Sequence, residues 1–550
     1  MRKGVFEMKK YDVLYVNGKV FTSDKKNLYA ESFAVKDGKI AWVGNDAEAP
    51  AADAEKTVDL GGRRVLPGFV DSHMHAIMLA DCCRQISALP PAVNSIEELT
   101  EEIKKVRAQQ DAGQWIFGWG YDEGKLAEHR APNRYDLDKG ASDSPVMVKR
   151  TCGHICAVNS KALEMAGVTK DTPDPEGGKI GRDENGEPDG ILYENARNLM
   201  DCIMKTKTED DMVDDLMALD EILLSQGVTT GADMGEFGGV DFKSVYGKAI
   251  DKGFHIRVAA YPMWDEVKND ETFTITEEDQ NPDNQFRMAG VKLIGDGSVS
   301  GRTAWCDVPY LDREDPTKLS DEYGIPVCTP EDIESAKAFC KKNHCQLSYH
   351  AMGARTIDRA VGAGYGETPW LKDSFKKTPY LRIEHVAMPT ADAIKKAAEA
   401  GIAFVTQPIF LYAEIESYLT NMGLERTQKN YPIKDFIESG VQFAFSTDAP
   451  ATAWATPSEP FACLKGAVTR KAYDGTDCGQ EHKVDIETAI ILYTAESAPM
   501  LGFENVGMLK DGFAADFIVL DKDVLNIPSE DIDTVTVEET YVAGECVYKK

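Results

Sequence analysis

Five short segments of this 550-residue chain carry residue types that bind divalent metals or can be converted into such ligands. They are the run from Pro67 to His75 (Pro-Gly-Phe-Val-Asp-Ser-His-Met-His), Lys292 in Val-Lys-Leu-Ile-Gly-Asp-Gly, His350 in Leu-Ser-Tyr-His, His385 in Arg-Ile-Glu-His, and Asp448 in Phe-Ala-Phe-Ser-Thr-Asp. Imidazole and carboxylate groups are the usual ligands of zinc and related cations. Each segment sits at or near the end of an apolar run that reads as a strand. His73 and His75 are two residues apart, so on a strand both point the same way, and Asp71 shares that side, where it could orient a ligand. A lone His-x-His is weak evidence. What carries weight is coincidence: four of the nine histidines fall at strand ends, and Asp448 closes the last strand. Lys292 is the outlier, because an interior lysine is costly unless paired or neutralised. An ion pair to Asp296 or another carboxylate is one way to meet that cost.

The elements that position these residues follow from local signals. The chain opens with short β-like segments at 12–16, 19–21, 31–36 and 39–43, with Asn17-Gly18 and Asp37-Gly38 between them as hairpin signals. The far end mirrors this with strands from Gly512 onward and Ala543-Gly544 as a turn. The middle repeats amphipathic helix, glycine and apolar strand: 212–226 stops at Gly227, 242–252 at Gly253, 391–400 at Gly401 and 433–439 at Gly440. Such alternation predicts parallel strands joined by crossover helices. Eight strands are expected, at 69–75, 228–234, 255–261, 291–295, 346–350, 381–385, 402–407 and 441–447. The expected fold is therefore α/β, a (β/α)8 TIM barrel over 67–506, with a composite β-sandwich built from 1–66 and 507–550 and a large insertion at 80–225. The active site of such a barrel lies at the C-terminal ends of its strands. Two segments fit less well: Pro145–Lys149 inside the insertion also reads as a strand, and Thr272–Gln285 does not read as a helix.

Composition sets outer limits. A hydrophobic fraction of 43% and a charged fraction of 28% are ordinary for a globular protein. The formal charge of −31 is spread along the chain, which argues against nucleic acid as a partner. No apolar run is long enough to span a bilayer. The basic start Met-Arg-Lys lacks an apolar stretch behind it, so no signal peptide is expected, and Met8 is a second candidate start. The twelve cysteines have no regular spacing and are expected reduced in a cytoplasmic protein. Cys152-Gly-His154-Ile-Cys156 lacks a clear fourth metal ligand, so core cysteines are the expected reading.

These motifs resemble the amidohydrolase superfamily over nearly the whole chain. The similarity is greatest to amidohydrolase family 3, the branch with N-substituted formamide deformylase-like enzymes. The carrying segments are Val65 to His75, Gly118-Trp-Gly-Tyr-Asp to Pro145-Val-Met-Val, and Gly153-His154-Ile-Cys-Ala-Val-Asn159-Ser. Further along come Lys292 with Asp296-Gly-Ser and Gly301-Arg-Thr-Ala, His350-Ala-Met-Gly353, Glu384-His385, Ser446-Thr-Asp448-Ala-Pro and Gly512-Phe-Ala-Ala-Asp516. Thr447 stands where Ser or Gly-Ser is common, and Asp189-Gly190 replaces the more usual Thr-Gly or Ser-Gly.

The resemblance implies two divalent metals, zinc being the expected ion, and hydrolysis of an amide-type C–N bond of a small molecule by a metal-bridging hydroxide. His73 and His75 would hold the more buried ion and His350 and His385 the more exposed one. Lys292, carboxylated by CO2, would bridge them; unmodified, it would leave a mononuclear site. Asp448 would reach the buried metal, accept the water's proton and pass it to the leaving nitrogen. His154, Trp119, Tyr121, Arg302 and Gln407 are candidate substrate contacts, with structural roles open for each. Cyclic amides, N-acyl amino acids, aminohydrolase substrates and esters are alternatives on the same centre, and a non-catalytic relative is a further one. Dimerisation is common among similar proteins, though no patch in the sequence demonstrates it.

Overall fold

The computed structural model describes residues 10–151, 155–204, 207–235 and 240–550. Chain contacts divide the protein into two compact units. The first comprises Met1–Ala76, Asp220–Ala449 and Ser458–Lys550, and the second Ile77–Leu219 and Pro450–Pro457.

Both ends of the chain contribute to the sheets that flank the first unit's parallel strands. A four-stranded sheet runs in the order Lys39–Gly44, Ser32–Lys36, Tyr11–Val16, Ala54–Asp59. A six-stranded sheet has the order Glu545–Lys549, Val537–Val542, Phe517–Leu520, Arg64–Pro67, Lys19–Phe21, Tyr29–Ala30. One core joins them: Tyr15 and Phe33 from the first stack at 4.8 Å, and Phe517 of the second meets Tyr15 edge-on at 5.1 Å. Asp37-Gly38 forms the expected hairpin, both residues at positive φ as a type I′ turn requires. Asn17-Gly18 does not. Tyr11–Val16 and Lys19–Phe21 lie in different sheets, and Lys19–Phe21 pairs in parallel with Arg64–Pro67 instead. The turn signal was local, whereas the pairing partner is remote.

The parallel strands of the first unit form two sheets. One has the order Phe286–Met288, Arg257–Ala260, Val228–Asp233, Phe69–Asp71. The other runs Gly290–Ile294, Gln346–Ala351, Leu381–His385, Ala403–Thr406, Phe443–Phe445. Every pairing within them is parallel. The expected fourth strand, 291–295, is present as Gly290–Ile294, and a further short strand, Phe286–Met288, precedes it in the other sheet. The result is an α/β architecture with parallel and mixed sheets.

The helices between these strands begin and end on the residues the sequence marks. Thr390 Oγ1 accepts from Ala393 N at 3.1 Å, the helix Ala391–Ala400 buries Ala393, Ile394 and Ala397 on one face, and Gly401 stops it at φ +66°. Pro330–Asn343 starts in a capping box of Thr329 and Asp332, and His344 takes the left-handed position that glycine fills elsewhere. Close packing fixes Gly68 before the first parallel strand, since a Cβ there would sit 2.3 Å from Thr229 Oγ1.

The second unit has its own core. Its six-stranded mixed sheet runs Gly178–Arg182, Pro188–Glu194, Ile155–Val158, Val146–Arg150, Ile116–Tyr121, Ile86–Ser87. The strand signal at Pro145–Lys149 thus belongs to this sheet, paired with Ile116–Tyr121 and Ile155–Val158. Among the described residues no helix is long and apolar enough to cross a membrane, and the described cysteines are free thiols.

Candidate metal centre

The first parallel strand ends at Asp71, so His73 and His75 lie beyond the ladder rather than on it, as the expected strand 69–75 had them. Their placement comes from bonds to the end of the last strand, Phe443–Phe445. Ser72 Oγ donates to Phe445 O at 3.0 Å, Asp448 N to His73 O at 2.7 Å, and His75 N to Ala449 O at 2.8 Å. Asp71 completes this junction. Its carboxylate accepts from His73 N, Thr447 N, Thr447 Oγ1 and Tyr493 Oη, all within 3.2 Å. Asp71 therefore fixes the backbone on both sides of the centre rather than an imidazole, which was the role its strand position suggested.

All four histidines donate one ring N–H to an acceptor of the chain. His73 Nδ1 donates to Glu384 Oε2 at 2.6 Å and His75 Nδ1 to Gly235 O at 2.8 Å. His350 Nε2 donates to Gly297 O at 3.2 Å and His385 Nδ1 to Gln407 Oε1 at 3.0 Å. These partners assign the tautomers and leave a lone pair on the opposite nitrogen of each ring. The rings cluster, with His73 centred 5.8 Å from His75 and 4.8 Å from His385, and His350 4.3 Å from His385. Burial, with the Lys292 charge adding to it, pushes His350 down to about 3, and burial holds His385 well below the usual imidazole range. Both are neutral near pH 7, as metal ligands must be.

Asp448 sits among them at φ +59°. Its Oδ1 lies 3.2 Å from His73 Nε2 and 3.5 Å from His75 Nε2, is buried, and accepts no well-formed hydrogen bond. Ligand atoms about 2.0–2.1 Å from a tetrahedral zinc are themselves about 3.3 Å apart. The spacing, the donor types and the orphaned carboxylate oxygen all fit a divalent cation. Burial alone would raise the Asp448 carboxyl, but His73 and the neighbouring imidazoles override it and hold it well below its ordinary value. The Asp448 carboxylate in turn outweighs burial at His75 and raises that ring.

Lys292 is 1% exposed, and its Nζ lies 3.3 Å from His73 Nε2. Burial pushes its ammonium down to about 8. The ion pair to Asp296 is not formed. Asp296 instead accepts from Trp305 N, Met352 N and Gly353 N, with His350 Nε2 3.4 Å away, and so holds the loop behind His350.

The substrate candidates distribute differently. Gln407 lies just past its strand, which ends at Thr406, and caps the helix Pro408–Ala413; its amide accepts from His385 and donates to Ser446 Oγ, so it positions a ring. The Arg302 guanidinium is engaged by Glu322, Asn421 and Leu311 O and lies 5.0 Å over Tyr310. Trp119 and Tyr121 belong to the second unit. Trp119 packs with Leu89 and Ala453, and Tyr121 is fully buried in that unit's core. His154 and Cys152 lie outside the described residues, and Cys156 is a core thiol.

Glu384, Arg382 and Ser348 were missed as site residues. Alternation puts Glu384 and His385 on opposite faces of a strand. His385 at φ +72° and Val386 at +50° break that alternation, so both side chains reach the histidine cluster. A charged Arg-x-Glu on an apolar strand was the available signal.

The sequence profile of the Amidohydrolase family matches residues 56–548. YtcJ of Bacillus subtilis is 27% identical over 554 residues, covering 98% of this chain and 99% of its own. N-substituted formamide deformylase of Arthrobacter pascens is 26% identical over 568 residues and covers 98% of both chains. The crystal structure of an uncharacterized metal-dependent hydrolase from Pyrococcus furiosus superposes with a TM-score of 0.71 at 27% identity, over 94% of this chain and 100% of that one. With the matched profile spanning nearly the whole sequence and the histidines gathered at the strand ends, the chain belongs to the amidohydrolase family.

Proposed function

We propose that this protein is a metal-dependent hydrolase that cleaves an amide-type C–N bond of a small molecule. The observation that carries the reading is the trio of His73, His75 and Asp448, whose ligand atoms lie together at an orphaned carboxylate oxygen, with the rings of His385 and His350 packed beside them. The nine parallel strand pieces are read as a (β/α)8 barrel, with the terminal sheets as a sandwich beside it. His73, His75 and Asp448 would hold one divalent ion, and His350 and His385 a second, zinc being the expected metal. Bound there, such ions supply a water that ionises near neutral pH and a charge that polarises a carbonyl.

The chain's own residues do the rest. Asp448 is kept ionised by its imidazole neighbours, so its carboxylate can take the attacking water's proton and return it to the leaving nitrogen. With an ordinary value lowered to about 8, Lys292 has a neutral fraction near physiological pH. Its lone pair can add to CO2 and release one proton, forming a carbamate anion in place of a buried ammonium, whose buried negative charge the bound cations would offset.

The similarity to N-substituted formamide deformylase puts N-formyl amines first among substrates to test. The zinc-loaded protein is assayed against N-formyl amines, N-acyl amino acids, cyclic amides and aryl esters, with Asp448→Asn beside it. Turnover of a C–N class that falls at least about 100-fold in the variant, with metal retained, is expected. Ester turnover alone would name a different bond on the same centre, and full activity of Asp448→Asn would remove that residue from its role.

A further inference from the structure

We infer that Glu384, paired with Arg382, makes His73 the strongest imidazole donor of the centre and thereby sets the tighter of its metal positions; this rests on the metal-centre reading above. The four histidines differ in what receives their N–H. His75 and His350 lean on backbone carbonyls, His350 with an Asp296 oxygen farther off at 3.4 Å, and His385 on an uncharged amide, whereas His73 donates directly to a carboxylate. A hydrogen bond to an anion is shorter and stronger, and it enriches the opposite nitrogen as a donor. The contact is accordingly the shortest of the four, at 2.6 Å.

The geometry around Glu384 is specific to that task. Its Oε1 accepts from Arg382 Nε at 2.6 Å and Ser348 Oγ at 2.8 Å, and its Oε2 from Arg382 Nη2 at 3.0 Å, besides His73. The bidentate pair fixes the carboxylate plane, so Oε2 is held on the line of Nδ1. Arg382 is held in turn by Ser72 O, Met500 O and Tyr261 Oη. The bond to Ser72 O reaches the residue next to His73, so one guanidinium ties both the imidazole's partner and its backbone. Arg382, Glu384, Ser348, Ser72 and His73 are all 0% exposed. A buried ion pair gives little net stability against an apolar pair of like size. Its retention beside His73 is accounted for by positioning.

The test is metal affinity, measured by chelator competition on the full-length protein, with the visible spectrum of the cobalt-loaded form as a second readout. Glu384→Gln is expected to weaken the tightest metal about 10–100-fold and to shift the cobalt bands, while Gln407→Leu leaves the tightest metal within about threefold. Because Glu384→Gln strands Arg382, the paired variant R382M/E384Q is run as well. It keeps the core neutral, and the same loss of affinity in a variant with a wild-type melting transition assigns the effect to the carboxylate. Wild-type affinity in the paired variant, or an equal loss in Gln407→Leu, overturns the inference. Wild-type protein that binds metal but hydrolyses nothing overturns the proposed reaction and leaves this assignment standing; wild-type protein that binds no metal overturns both.

Discussion

The residues nominated as metal ligands and those nominated as substrate contacts meet different fates. His73, His75, His350, His385, Lys292 and Asp448 come from five distant stretches of the first unit and gather in one cluster: His73 and His75 against an Asp448 oxygen, Lys292 against His73, and the rings of His385 and His350 alongside. Trp119 and Tyr121 sit in the second unit and are absorbed into packing, while Arg302 and Gln407 are consumed by internal hydrogen bonds. The difference lies in constraint. The nominated ligands sit in or just past the C-terminal ends of parallel strands, where the sheet order brings remote segments together. A polar or aromatic group in a loop or an inserted sheet has many partners open to it, and only the folded chain shows which it takes.

Three measurements press on that contrast. The largest effect is expected at Lys292. Lys292→Arg keeps a positive charge but cannot carry a carbamate, and activity should fall at least about 100-fold; wild-type enzyme dialysed free of CO2 should lose activity and regain it with bicarbonate. Unchanged turnover in the variant would leave Lys292 as a buried cation.

The second concerns pH. Asp448 raises His75, and a metal must displace that proton to bind. Lowering the pH therefore favours the protonated ring and opposes the metal, so affinity should weaken by about tenfold per pH unit below the raised value for one proton displaced. A pH-independent affinity would separate His75 from the site.

The smallest effect, and the sharpest contrast, is at Arg302. Arg302→Met leaves Asn421 and Leu311 O without their donor, so stability should drop by about 1–3 kcal/mol, while KM stays within about twofold if Arg302 serves structure. A large rise in KM at unchanged stability would return it to the substrate.

Much of the first unit was legible because helix stops and strand ends obey local rules. Thr390 and Gly401 bracket a helix as read, and Asp37-Gly38 makes its hairpin. Asn17-Gly18 carried the same hairpin signal and failed, since its flanking strands join different sheets through partners far along the chain. Glu384 was hidden by the strand alternation that its neighbour breaks with a left-handed φ. Asp71 was recognised as important, but its partners Thr447 and Tyr493 lie some 370–420 residues away, so its role as a staple between strand ends could not be read from spacing. Of the inserted unit's sheet only the strand at 145–149 was legible, because its strand order follows no repeat.

The most direct test of the account is metal content. Purified protein, stripped with chelator and reloaded with zinc, is measured by elemental analysis beside a His73→Ala/His75→Ala variant with the same circular dichroism spectrum. The account predicts zinc bound stoichiometrically by the wild type and a loss of at least one ion per chain in the variant, with hydrolysis lost in step. Equal zinc in both proteins, or none in either, would contradict it.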